Sequence, residues 1–300
     1  MKQFMTESER KQYARADMMP KLQAALKTLP PTSQYIAAAL AGSSKRGWYA
    51  RACQAIEAKY GADDVTFTYL LAALSPRVSL ETNVANAIKV FDQWVAYERP
   101  KTKAGIVFTL RTAIEGELMG AWIPTAVRAL DGRAEISGLS GPKVDSFARN
   151  LLGDLYEVAN DGWMATFAGV SQNTFSGKRS GLGPGKSPGY MASTIRVRQA
   201  AKLLGWQPAE VQECIWSFTK TAYETASAHG TTVVQLLKDN RLTTAQIGAT
   251  PDIHSLFAHV EAQATNSATM SGDLKYLLPV ARRLDKRLEE ARNRGDEPNF

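Results

Sequence analysis

Residues 136–143 read Ile-Ser-Gly-Leu-Ser-Gly-Pro-Lys, with two glycines in a tight turn between an apolar residue and a proline. Glycine takes positive φ and allows close backbone approach, so the N–H groups of such a turn can hold a phosphate. Gly138, Ser140 and Gly141 are therefore the candidate phosphate contacts. Lys143 has three readings: a Schiff-base nucleophile, which needs a desolvated amine of lowered pKa, a phosphate contact, which needs only an exposed one, or a surface residue. Further on, in Val158-Ala-Asn-Asp-Gly-Trp-Met-Ala-Thr-Phe-Ala168, Asn160 or Asp161 suits the cap of a helix, where the helix terminus favours a carboxylate. Asp161 is either a reacting carboxylate or a cap alone. Trp163 and Trp48 are candidates to stack on a nucleobase, with core packing as the alternative.

The elements that must position these residues read as helices. The second helix of the hairpin is expected from Pro142 to Leu152, with Pro142 in its first turn, Val144, Phe147 and Leu151 buried, and Gly153-Asp154 ending it. Val84, Ile88, Phe91 and Val95 follow helical spacing, as do Val211, Ile215, Phe218 and Ala222 behind Pro208. Strand-like alternation occurs only at Ala104–Thr109. The break at Leu29-Pro30-Pro31 sets off residues 1–31 as an N-terminal helical extension. Residues 32–300 then form one domain in two intimate lobes. Within it lie the hairpin and turn (131–170), a basic Gly-rich loop (171–189) and C-terminal helices (190–300), the last of them charged.

The loop contains Ser180-Gly-Leu-Gly-Pro-Gly-Lys-Ser187. A phosphate-cradling GxxxxGK[ST] loop needs glycine at position 180 and a preceding buried strand, and has neither. Lys178, Arg179 and Lys186 remain candidates for contacts to DNA phosphates. The segment Ser43-Ser-Lys-Arg-Gly-Trp-Tyr49 mixes basic and aromatic residues, and reads either as an approach to DNA or as a helix-start turn.

Composition narrows the classes. A 300-residue chain with net charge +7 suits a polyanionic partner. No run of eighteen apolar residues exists, and the N-terminus lacks the apolar centre of a signal peptide, so a cytoplasmic protein without a membrane partner is expected. Cys53 and Cys214 are too few and too far apart for a zinc site or an iron–sulfur cluster. His254 and His259 lack the one-face helical spacing of a metal pair. No metal and no cofactor is expected.

Taken together, residues 136–170 resemble the helix-hairpin-helix superfamily of DNA glycosylases. Members carry an apolar-Pro-Gly-x-Gly-x-Lys hairpin and then a Val-Asp-Thr-His-type turn with the catalytic aspartate. In bifunctional members the hairpin lysine stands eighteen residues before that aspartate, the step from Lys143 to Asp161. Leu70-Leu-Ala-Ala-Leu-Ser-Pro-Arg77 and the helix after it resemble the segment that inserts beside the flipped base, with Ser75 and Arg77 near its tip and Asn83 and Asn86 behind it. The hairpin is one residue longer than the family's, Gly162-Trp163 replaces Thr-His, and nothing after Ser171, including Gln212-Glu-Cys-Ile-Trp216, has a glycosylase counterpart.

The chain is also similar to the phage thymine-hypermodification branch, the amino acid:DNA transferases or α-glutamyl/putrescinyl thymine pyrophosphorylases. The resemblance implies a mainly α, two-lobed glycosylase-like fold with an active cleft between the lobes. It implies double-stranded DNA carrying a modified base as partner, and an amino acid or amine as co-substrate. The lead expectation is transfer of that amine onto 5-(pyrophosphoryloxymethyl)uracil with loss of pyrophosphate. Base excision and DNA binding without catalysis are the alternatives. Asp161 would orient or deprotonate the amine, and Lys143 or Arg149 would neutralise the leaving group.

Overall fold

The computed structural model describes residues 1–15, 17–114, 116, 118–175, 186–243, 246–247 and 278–294. Every regular element among them is a helix. In chain order these are α1 (Glu7–Tyr13), α2 (Met18–Thr28), α3 (Thr32–Ala41), α4 (Trp48–Tyr60), α5 (Asp64–Leu74), α6 (Leu80–Ala96), α7 (Lys103–Ala113) and α8 (Ile123–Leu130). They continue as α9 (Arg133–Ser137), α10 (Pro142–Leu151), α11 (Gly162–Ala168), α12 (Pro188–Leu204), α13 (Pro208–Ala228), α14 (Val233–Lys238) and α15 (Leu278–Arg294). No helix among the described residues is long and apolar enough to cross a membrane.

The described residues fall into two compact units, one made from residues 1–48, 155–247 and 278–294, the other from 49–154. The boundaries differ from those expected. Residues 1–31 are not an extension: Tyr13, Met18, Leu22 and Leu29 lie in the first unit's core, and α2 packs on α12. The 131–170 segment is divided between Asp154 and Leu155, so the hairpin and Asp161 belong to different units.

In the first unit, α12 and α13 form the centre. Val211, Ile215, Phe218 and Ala222 are all fully buried, as their spacing predicts. Gln207 and Glu210 close a reciprocal capping box at the start of α13, with Pro208 in the first turn. α3 crosses α13 closely enough that a Cβ on Gly42 would collide with the Cys214 carbonyl. A buried ionic cluster ties α1 to later chain: Glu9 pairs with Lys186 at 2.7 Å and with Arg198 at 2.6 Å, and Lys186 reaches Glu157 at 2.7 Å. Burial raises the Glu9 carboxyl, but Lys186 and Arg198 outweigh it and hold the pKa down at about 2.

In the second unit, α5 is buried along Phe67–Leu74 and packs against α6, α8 and α10. Tyr60 stacks on Phe67 at 3.8 Å, and Phe67 meets Phe91 edge-on. The expected stripe of α6 shifts slightly: Asn83, Val84, Asn86, Ala87, Val90, Phe91 and Trp94 are buried, whereas Val95 is exposed. The strand-like Ala104–Thr109 is helical, part of α7. Thr102 caps it, and Ile106, Thr109 and Leu110 bury one face at i, i+3 and i+4, so tertiary burial decides the period.

Candidate functional site

The hairpin joins α9 to α10 in the second unit. Gly138 has φ +71° and Gly141 φ +96°, both in the range that favours glycine. The Asp145 carboxylate reaches back from α10 to accept the Leu139 N–H at 2.8 Å, and a Cβ on Gly138 would collide with that same oxygen. From α8, Arg128 donates to the Gly138 carbonyl at 2.5 Å and to the Ser137 hydroxyl. Thr125 and Ser140 share a hydroxyl–hydroxyl bond at 3.2 Å. Leu139 is buried, while Ser140 and Gly141 stay exposed and Ile136 is 87% exposed.

Lys143 extends from α10 to the end of α5, where its ammonium donates to the Ser75 hydroxyl at 2.9 Å. That hydroxyl in turn donates to the Ala72 carbonyl. The hairpin helix and the loop after α5 thus meet through Lys143 and Ser75. The Ser75–Ser79 loop is held from α8 as well, by the indole N–H of buried Trp122 on the Pro76 carbonyl at 3.0 Å. Arg77 at its tip is exposed with φ +65°, a conformation few non-glycine residues adopt. Behind the loop, Asn83 and Asn86 are buried on α6, and Asn83 Oδ1 and Asn86 Nδ2 have no hydrogen-bond partner among the described residues. Arg149 pairs with Asp154.

A model of a Family of unknown function (DUF7178) matches residues 34–223. The chain belongs to that family. No curated protein and no solved structure matches it. The DUF7178 match runs from α3 into α13 and so takes in the hairpin, the Ser75–Ser79 loop and the Asp161 turn.

The second stretch of this DUF7178 protein, the Asp161 turn, lies in the first unit. Asp161 caps α11: its Oδ1 accepts from the N–H groups of Trp163 at 3.0 Å and Met164 at 3.1 Å. Its Oδ2 accepts from the Trp216 indole at 2.9 Å. Three fixed donors therefore hold the carboxylate as an acceptor. Asn160 is fully engaged inside the core: its amide donates to Tyr190 O and Thr194 Oγ1 and accepts from Ser193 Oγ. Its N–H donates to the Tyr190 hydroxyl, which donates to Val158 O.

Several sequence expectations need correction. Asn160 is not a ligand contact, because its polar atoms are used up in the core. Trp163 is buried against Tyr223, ring centroids 5.6 Å apart, and is not a stacking platform. Lys186 is not a phosphate contact: its ammonium is buried between Glu9 and Glu157. Lys178 and Arg179 lie outside the described residues. Of the two readings of the Ser43–Tyr49 segment, the helix-start turn is the one observed: the chain turns at Ser43–Lys45 and α4 begins at Trp48. Arg46 pairs with Glu210 and lies over Trp206, and Glu213 accepts from the Gly47 and Trp48 N–H groups. Trp48 itself is half-buried.

Sequence reasoning missed Arg128, Asp145, Trp122 and Trp216, the residues that hold the hairpin, the loop and Asp161. Only Asp145 left a local signal, an acidic residue in the first turn of the helix that follows the glycines. Among the described residues no cluster of His, Cys, Asp and Glu could hold a metal ion.

Proposed function

We propose that the protein holds double-stranded DNA through the Gly138–Gly141 hairpin and acts on one of its bases. The reading that fits the resemblance best is transfer of an amino acid or amine onto 5-(pyrophosphoryloxymethyl)uracil. The amine nitrogen forms a bond to the methylene carbon, the carbon–oxygen bond breaks, pyrophosphate leaves with the electron pair, and the amine loses a proton. The observation that carries the DNA contact is the hairpin itself. Its two glycines have positive φ, Arg128 and Asp145 fix it from behind, and Ser140 and Gly141 are left on the surface. An oxyanion or phosphate there would meet backbone donors without rearrangement.

Lys143 fits a phosphate-neutralising role better than a nucleophilic one. Its ammonium donates to the Ser75 hydroxyl at 2.9 Å and lies 5.2 Å from the centre of the Phe147 ring, contacts that suit a charged ammonium. A second reading, DNA binding without catalysis, is favoured by Asp161, whose two oxygens both serve backbone and indole N–H groups.

The test is incubation of the protein with DNA containing the pyrophosphorylated base and each amino acid in turn, with nucleosides read by mass spectrometry. An aminoacyl nucleoside supports the transferase. Abasic sites or released base support excision. Neither product, with Asp161→Asn binding DNA as the unsubstituted protein does, leaves the non-catalytic reading.

A further inference from the structure

The first unit carries a cationic cavity far along the chain from the hairpin. It has a volume of about 290 Å³ and is lined by Lys2, Arg10, Tyr13, Ala14, Arg15 and Met19. Lys2, Arg10 and Arg15 are exposed, and their side chains make no ion pair or hydrogen bond among the described residues. The reason lies in the local charge inventory. Residues 1–48 hold eight Lys and Arg but only three acids, Glu7, Glu9 and Asp17. Each acid is already paired with another cation: Glu7 with Lys11 at 2.7 Å, Glu9 with buried Arg198 and with Lys186, and Asp17 with Lys21 at 2.8 Å, although the Asp17 carboxylate also feels the charge of Arg15. Lys202 adds a further cation beside the Lys2–Phe4 turn, with its ammonium 5.9 Å from the Phe4 ring.

By contrast, residues 49–154, which contain the hairpin, carry twelve basic and twelve acidic residues. The positive charge expected to attract DNA is therefore concentrated in the N-terminal segment and not around the hairpin. Like charges gathered at one cavity repel one another, and a multiply charged anion relieves that repulsion. Two guanidinium forks and an ammonium match phosphate oxygens better than they match a single carboxylate. The floor is rigid, because the buried Tyr13 is fixed by its hydroxyl on the Lys186 carbonyl at 2.7 Å.

We infer that Lys2, Arg10 and Arg15 form a phosphate-binding pocket that takes the backbone of a nucleic acid. The pocket stands independently of the base chemistry proposed above, and failure to find an aminoacyl nucleoside leaves it untouched. A free di- or triphosphate shares the same chemistry, so the experiment separates the two sources.

The full-length protein and its Lys2→Gln/Arg10→Gln/Arg15→Gln variant are compared for binding of a fluorescein-labelled 20-bp duplex of ordinary bases between 50 and 200 mM salt. Each phosphate contact contributes roughly 0.9 to the slope of log affinity against log salt. The triple variant is expected to lose about 2 to 3 from that slope and at least tenfold in affinity at low salt, with an unchanged circular dichroism spectrum. Lys11→Gln, which removes a cation already paired with Glu7, is expected to leave the slope unchanged. Titration with inorganic pyrophosphate forms the second arm. Loss of pyrophosphate binding with an unchanged duplex slope assigns the pocket to a small phosphate ligand and overturns the nucleic-acid source. No change in either arm overturns the pocket. Should the triple variant fail to fold, Arg10→Gln alone is expected to lower the slope by about 1.

Discussion

The Gly138–Gly141 hairpin and the Asp161 turn are built alike: in each, a carboxylate accepts backbone N–H bonds at the start of a helix. What remains on the surface differs. At the hairpin, Asp145 and Arg128 act from behind, so Ser140 and Gly141 stay exposed beside an exposed Ile136. At the turn, the carboxylate is itself the cap, and Asn160 next to it is spent on Tyr190, Ser193 and Thr194. Residue types suited to chemistry become available to a ligand only where other residues take over the structural work. The hairpin meets that condition more fully than the turn does.

The contrast is sharpest at Asn160. Replacing it with alanine strands the Ser193 hydroxyl and its amide's partners inside the core, with an expected loss of about 3 kcal/mol in urea unfolding. A loss below about 1 kcal/mol would mean that the turn is less committed to structure than its bonds indicate. The same unit carries the Glu9 cluster. The Glu9 pKa is depressed from its ordinary value of 4.5 to about 2, so its contribution is present above 4.5 and lost as pH falls through the window down to 2. Unfolding midpoints measured across that window are expected to drop by the equivalent of about 2 to 3 kcal/mol, and Glu9→Gln to flatten the drop.

At the hairpin, Gly138→Ala meets both positive φ and Asp145, and is expected to cost about 2 kcal/mol. Gly141→Ala, with open space around its Cβ, is expected to cost about 1 kcal/mol, from backbone strain alone. Equal losses at the two glycines would remove Asp145 as the hairpin's internal brace. Asp161→Ala is expected to cost about 1 kcal/mol of cap energy. In a double-mutant cycle with Trp216→Phe, the combined loss should fall short of the sum, since both residues serve one contact. The smallest effect is expected at Ser140→Ala, about 0.5 kcal/mol for an exposed serine whose partner Thr125 is buried, alongside weaker duplex binding. Unchanged binding there would break the comparison from the other side.

The parts legible in the sequence were those set by neighbours along the chain. Pro142 and the glycines before it announce α10, observed as Pro142–Leu151. The Val211–Ala222 stripe announces α13, and the Lys143–Ser75 bond joins two of the candidate residues. The parts not legible depend on distant partners. Basicity alone suggested that Lys186 faces a phosphate, whereas its actual partner, Glu9, lies 177 residues earlier. Trp216, which completes the Asp161 site, stands 55 residues further on, in a segment without a recognisable pattern. Ala104–Thr109 offers branched and aromatic residues that fit either period, and only the burial of Ile106 and Leu110 decides for helix.

The Glu9 cluster has a further consequence, for the order of assembly during synthesis. Glu9 bonds Arg198 across 189 residues, and α2 and α3 pack on α12 and α13. Residues 49–154, in contrast, form a continuous stretch whose described helices pack among themselves. As the chain leaves the ribosome, this middle stretch has its partners at hand. The first forty-eight residues must wait, with Tyr13, Met18 and Leu22 uncovered, until some 150 more have emerged. Residues 1–48 are thus made before the 49–154 stretch but buried after it, and a chaperone that shields apolar nascent chain has a long opportunity there.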